Sequence, residues 1–317
     1  MTVWRIRKWT DLRSIAGWVF VCLLGVSAQA VAAQVAIVMS VDSAPYQEVY
    51  QVIRAHLDAA GHEVSQAYAD GLTASSLPLN EARLVVAVGV RAAELLSTLP
   101  NRSPVLAVLV PRAWYIKTGR LRLSDGGRRN VSAIYLDQPF DRQAKLIRLT
   151  FPEVHRVGVL LSAEQSSLLG ELEDALRPQR LGLIHATVAE DDRLMTPLEQ
   201  VLGEADLLLA IPDPLVFNRN TAQSLFLTSY RYRDPVVGYS RSMARAGALV
   251  SLYSTPAQIA RQAAEWVGNA LNGATVRLPL PAHPLYFEVS INEQVARSLG
   301  FSLPSEAELE KRLGEMR

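Results

Sequence analysis

The sequence predicts an α/β fold of two similar lobes, each built on a parallel sheet. Three observations lead there. From Gln34 onward, short aliphatic runs alternate with helical patterns. Most of those runs are apolar throughout, as in strands covered by helices on both faces. The alternation also pauses once, at 111–130, and then starts again, giving two αβ sets of comparable size with a cleft between them. At 317 residues, 49% hydrophobic and 20% charged, the chain is long enough for about two units with cores of their own.

The first 33 residues are read as a secretory signal peptide outside that fold. Arg5, Arg7, Lys8 and Arg13 make a basic start, and Ile15 to Val26 is an apolar run too short to span a bilayer comfortably. Cleavage is expected after Ala28-Gln29-Ala30 or Val31-Ala32-Ala33, the alternative being an uncleaved anchor. The single cysteine, Cys22, lies inside this run behind Val19-Phe20-Val21, unlike the Leu-small-small-Cys pattern of lipoproteins. A mature chain without cysteine excludes thiol catalysis, cysteine metal ligands and disulfides.

The first set opens with "QVAIVMS" (34–40) as a buried strand and a helix over 44–61 closed by Gly61. "EVSQAYA" is a weaker strand, "RLVVAVG" (83–89) and the helix 91–99 repeat the unit, and "PVLAVLV" (104–110) follows. Residues 111–130 carry Arg112, Lys117, Arg120, Arg122, Arg128 and Arg129 against Asp125, with Trp114 and Tyr115, and read as a solvated, mobile loop. An anion or protein contact is the competing reading of that loop. The second set runs from "NVSAIYLDQP" (130–139) through "RVGVLLS" (156–162), "LIHATVA" (183–189), "ADLLLAI" (205–211) and "PVVGYS" (235–240), with helices between. The tail "PLYFEVSINEQVARSLGFSLP" adds one strand and one helix.

Ligands of open parallel sheets gather at the carboxyl ends of the strands, where loops and helix N-termini expose free amides. The polar residues at those ends are the candidate ligand contacts: Ser40 with Asp42, Gly89, Asp137 with Gln138, Ser162 with Glu164, Asp213, and Tyr239 with Ser240. In "LLLAIPDPLVFN", Pro212 and Pro214 stiffen the exit from a strand around Asp213. Asp213 then either points into a shared crevice or caps the helix at about 218–230. "SAEQSS" (162–167) joins hydroxyls to a helix start, which suits a polar ligand group and suits ordinary capping equally.

Catalytic constellations are missing. There is no phosphate-cradling G-x-x-x-x-G-K-[ST] loop, no G-x-S-x-G elbow, and no H-x-x-x-H spacing among His56, His62, His155, His185 and His283. No cofactor or metal is therefore called for, and binding is favoured over turnover. A hydrolase using Asp213 with Glu164 is the enzymatic alternative. The 32 basic and 31 acidic residues leave the chain near neutral, and at −2 once residues 1–33, with four of the former and one of the latter, are set aside. That balance gives no drive toward nucleic acid.

"NVSAIYLDQPFDRQAKLIRLTFPEVHRVGVLLSAEQSS", "DLLLAIPDPLVFN", "PVVGYSRSMARAGALVSLYSTPAQIARQAAEWVGNALNG" and "VSINEQVARSLGFSLP" together resemble bacterial ABC-transporter periplasmic substrate-binding proteins of the tryptophan/tyrosine-binding kind. The resemblance implies a type I periplasmic binding fold, with two Rossmann-like lobes joined by three crossovers, and a location in the periplasm. It places 34–137 with 254–279 in one lobe and 138–253 with 280–317 in the other. It implies a monomer that carries a small molecule, an amino-acid-like one among the candidates, to an ABC permease of the inner membrane. The implied contacts are Ser162, Glu164, Ser166, Ser167 and Asp213, and more loosely Ser240 and Tyr253. Three positions depart from the family pattern: Val110-Pro111-Arg112 replaces its D-P-V, Pro214 its asparagine after the aspartate, and Ser166 its turn asparagine. The ligand therefore does not follow from the resemblance. The non-transport alternative is a periplasmic sensor or assembly partner that docks through 111–130, marked by a pocket filled with side chains.

Overall fold

Five aliphatic runs form the first sheet: β1 (Gln34–Met39), β2 (Glu63–Tyr68), β3 (Leu84–Val88), β4 (Val105–Val110) and β5 (Val131–Tyr135). The computed structural model of the protein describes residues 34–73, 79, 82–189, 194–273 and 275–316. The expected signal peptide, its cleavage site and Cys22 lie outside the described residues. The strands pair in the order β2-β1-β3-β4-β5, all parallel. Every residue of β3 is buried, whereas the polar β2 takes the half-exposed edge.

The second sheet comprises β6 (Arg156–Ser162), β7 (Gly182–Val188), β8 (Leu207–Leu209), β9 (Val236–Gly238), β10 (Val250–Tyr253) and β11 (Glu288–Ile291). Its order is β11-β10-β9-β8-β6-β7, parallel except for β11, which runs antiparallel to β10. Each sheet is covered on both faces. In the first lobe α1 (Ala44–Ala59) packs over one face, while α2 (Val90–Thr98) and a helical segment over 112–123 cover the other. In the second, α3 (Phe140–Thr150) and α4 (Leu169–Leu176) cover one face, and α5 (Met195–Glu204) and α6 (Ala222–Tyr232) the other. The short α7 (Arg241–Ala246) leads into β10.

The chain crosses between lobes three times. It leaves β5 at 136–139 for α3. It returns after β10, where Thr255 and Gln258 form a capping box and Pro256 opens α8 (Pro256–Leu271). Ile259, Ala260, Ala263 and Val267 of α8 then pack against the first core, whose small residues let α8 lie close to α1. Ala282 still bridges Ile134 at the edge of the first sheet, and Phe287 packs on the second core. One residue from each crossing joins a hydrogen-bonded node. Gln138 Nε2 donates to Ser254 Oγ at 2.7 Å, Ser254 Oγ donates to the Tyr286 carbonyl at 2.5 Å, and Arg142 Nη1 donates to Gln138 Oε1 at 2.6 Å.

Two expectations need correction. Residues 111–130 are not a mobile loop. Arg112–Trp114, the π turn Tyr115–Gly119 and Arg120–Leu123 run on as one helical segment behind Pro111. Tyr115 and Leu123 are buried against the first sheet, and Gly119 leaves the space that the Trp114 ring fills. Arg129 is buried too, donating to the carbonyls of Leu96, Leu99 and Asn101. Charge density suggested solvation, but the apolar positions among the arginines make one face of the segment a core element. The run 131–135, grouped from its sequence with the second set, is β5 and pairs with β4 in the first sheet, while the tail 284–304 has its expected strand and helix with a further helix beyond them. After β11 and α9 (Glu293–Leu299) comes α10 (Glu306–Glu315), capped by Ser305 and held by Leu309 and Leu313. Glu310 and Glu306 accept the edge amides of Val289 and Ile291, so α10 covers the open edge of the second sheet.

Candidate functional site

The carboxyl end of β4 faces those of β6 and β8 across the lobes. Here Asp213 sits only 3% exposed. Its Oδ2 accepts the Ser162 amide at 2.7 Å and its Oδ1 the Leu215 amide at 3.0 Å. The prolines on either side fix the turn that brings it there. Asp213 therefore clamps the end of β6 to the turn after β8, and it does not cap α6, whose N-cap is Thr221.

Between the lobes lies a cleft of about 920 Å³. From the first lobe it is lined by Arg112, Trp114, Ile116 and Lys117, and from the second by Ser162, Glu164, Gln165, Ser167, Glu171 and Asp213, among others. Behind it is a chamber of about 50 Å³, lined in part by Asp137, Gln138, Gln143, Ile211 and His283. Arg112, Ala113, Gln165, Leu168 and Glu171 line both spaces. Among the described residues, two ion pairs cross the cleft. Arg112 Nη1 meets Glu171 Oε2 at 2.8 Å, and Lys117 Nζ meets Glu164 Oε2 at 3.7 Å.

Asp137 sits where the chain leaves the first lobe, and the Arg112 amide donates to its Oδ2 at 2.6 Å. Burial raises its pKa, and backbone hydrogen bonds pull it partly back. His283 Nδ1 lies 2.8 Å from the Asp137 carbonyl, and the edge of one ring meets the face of the other where His283 contacts Tyr135. Burial lowers the pKa of His283, favouring the neutral imidazole.

Of the residues proposed from sequence, Ser162, Glu164, Ser167 and Asp213 line the cleft, and Asp137 lines the chamber. The others have local partners and line neither space. Ser40 Oγ donates to the Val88 carbonyl and accepts the Ala92 amide. Asp42 accepts from Gln47, and Gly89 turns β3 into α2 at φ +87°. Ser166 Oγ donates to the Ala163 carbonyl, and Ser240 caps α7. The Tyr253 hydroxyl accepts from Arg241 and meets Ser290 at 2.7 Å. The sequence did not single out Glu171, Gln165 or Gln143. Arg112 and Lys117 were visible as members of a basic run, but their facing the second lobe was not.

The arrangement suits binding. Both Asp213 oxygens hold backbone amides, and Glu164 is exposed and paired with Lys117, so these two carboxylates are each engaged separately and are not arranged as an acid–base pair.

No curated protein matches the chain. The solved structures similar in fold include three that are covered over nearly all of their own length. A conserved domain protein from Vibrio cholerae shares 20% identity over 88% of this chain and 98% of that one, with a TM-score of 0.59. The ABC domain in complex with L-Trp from Streptococcus pneumonia shares 16% over 87% and 98%, at 0.57. A ligand-free, open substrate-binding protein with adhesive properties from Clostridium difficile shares 15% over 86% and 97%, at 0.69. These likenesses show the type I periplasmic binding fold. The sequence model of a family described as ABC transporter substrate binding protein, whose members bind rather than catalyse, matches residues 56–310. By that match the chain belongs to the ABC transporter substrate binding protein family.

Proposed function

We propose that the protein is the solute-binding component of an ABC-type uptake system, capturing a small polar molecule between its lobes in the periplasm after cleavage of an N-terminal signal peptide. The observation that carries this reading is the 920 Å³ cleft, lined by charged and hydroxyl groups from both lobes. A solute touching both walls binds the closed arrangement better than the open one, and that differential affinity drives closure about the three crossings. A permease of the inner membrane reads the closed state, and the protein acts as a monomer. The lobes divide as 34–137 with 254–279 and 138–253 with 280–317. An open cleft of this size fits solute capture better than a docking protein whose pocket has been filled. Calorimetric titration and thermal-shift screening with amino acids, nucleosides and sugars test the proposal. A saturable heat with a raised melting temperature is expected for at least one class, and silence across all of them would sink it.

A further inference from the structure

We propose that the outward face of the helical segment 112–123 is a contact surface for an anionic lipid bilayer, with Leu121 and Ile116 entering the interface and Arg120 and Arg122 meeting lipid phosphates. The inference does not depend on which solute the cleft takes.

Packing settles the inward face. Tyr115 and Leu123 are buried in the first core and the Trp114 ring lies over Gly119, so the segment is a fixed platform. Outward it turns Leu121, 75% exposed, and Ile116, 57% exposed. One helical turn joins Ile116 to Arg120 and Lys117 to Leu121, so apolar and cationic side chains share one patch. Single apolar side chains are ordinary on a surface, but these two stand together among cations.

The charge of the patch is local. From Asn101 to Tyr135 there are seven basic residues and one acidic, although residues 34–317 together are slightly acidic. Lys117 pairs with Glu164, and Arg128 with Asp125. The Arg128 hydrogen bond lowers the pKa of Asp125, and Arg129 and Arg102 add to that. Arg102, Arg120 and Arg122, all exposed, have no ion-pair partner among the described residues. Such an excess draws the patch toward a negative surface, each cation adding to the affinity.

Shape decides between lipid and protein. Arg120, Leu121 and Arg122 line neither the cleft, nor the chamber, nor a groove along α6. A protruding apolar tip flanked by arginines gives a partner's anchor side chain nowhere to lodge. It can, however, enter a fluid headgroup layer while the guanidiniums stay at phosphate depth. With two apolar side chains the contact is weak and reversible.

The test is co-sedimentation of the mature chain with vesicles of equal parts phosphatidylglycerol and phosphatidylcholine, and with vesicles of phosphatidylcholine alone. Starting the chain at Gln34 keeps the apolar run Ile15 to Val26 out of the measurement. Partition into the anionic vesicles is expected at low salt, falling as salt screens the charges. Arg120→Gln with Arg122→Gln should weaken it about tenfold or more, and Leu121→Gln about fivefold. Arg219→Gln with Arg231→Gln removes the same charge from exposed positions at α6 and should stay close to wild type. Tryptophan occurs in the mature chain at 114 and 266, so in Trp266→Phe brominated phosphatidylcholine in the anionic vesicles should quench Trp114. Equal binding to both lipids, no binding at low salt, full binding by either patch variant, or an unquenched Trp114 overturns the inference. So does wild-type self-association that Leu121→Gln removes while vesicles stay unbound, which gives the face to a second copy. Should the patch variants not fold, the lipid, salt and quenching measurements decide.

Discussion

Two aspartates illustrate how differently the fold treats a buried carboxylate. Asp213 receives two backbone amides, so truncating it leaves both donors buried and unpaired. Asp213→Ala is expected to cost about 2–4 kcal/mol in urea unfolding, more than a surface substitution would. Asp234, beside Asp206 at the far end of the second sheet, has the opposite situation. Its Oδ2 is buried without a partner, and burial with the nearby Asp206 charge pushes its pKa from 3.8 up to about 7. Between those values the folded chain holds a proton that the unfolded chain has released, so this group's contribution is complete below 3.8 and is lost as pH rises through about 7. Asp234→Asn should therefore raise the melting temperature at pH 8 and leave it nearly unchanged at pH 4, as thermal scans at the two pH values would reveal.

Among the elements, the helical segment 112–123 matters most, because it carries Arg112 and Lys117 to the cleft while Tyr115 and Leu123 fasten it to the first core. The Tyr115 hydroxyl is buried with no partner, and burial pushes its pKa up to about 12. Tyr115→Phe removes an unsatisfied polar group and keeps the ring. Stability should stay level or rise by about 1 kcal/mol in denaturant titration. The turn from β3 into α2 is less tolerant. Gly89 holds φ +87°, and a Cβ there would lie 2.6 Å from Ser40 Oγ and 2.7 Å from the Tyr46 hydroxyl. Gly89→Ala is expected to lose about 2 kcal/mol or more by the same measurement.

In the whole molecule the two ion pairs that cross the cleft differ in weight. Lys117 and Glu164 are 73% and 84% exposed, a setting in which a pair contributes about 0–1 kcal/mol. Arg112 and Glu171 are closer, less exposed and next to the three crossings. Small-angle scattering should show no change in radius of gyration for Lys117→Met, and an increase for Glu171→Gln as the lobes part. If the two variants scatter alike, the inner pair does not hold the lobes. The Gln138–Ser254–Tyr286 node ties the crossings to one another next to the chamber.

Strand identity was legible in the residues themselves, since continuous runs such as "VVAV" and "VLAVLV" are stable only where both faces are covered. The double αβ rhythm, the Thr255-Pro256 start of α8 and the carboxyl-end placement of Ser162, Glu164 and Asp213 follow from the same local rules. What local rules could not reach was partnership. Arg112 looked like one arginine in a solvated run, because nothing near it in sequence indicates that Glu171 lies opposite. Likewise, Asp213 drew attention as a conspicuous carboxylate; the Leu215 amide that one oxygen holds lies in its own turn, and only the pairing of β6 with β8 brought the Ser162 amide to the other. The sequence by itself determined the two sheets and the ends at which polar groups collect, because periodicity and turn chemistry act within a few residues. The tertiary structure decided which of those groups share a space, because the charges facing one another across the cleft come from segments dozens of residues apart and meet only when the three crossings bring the lobes together.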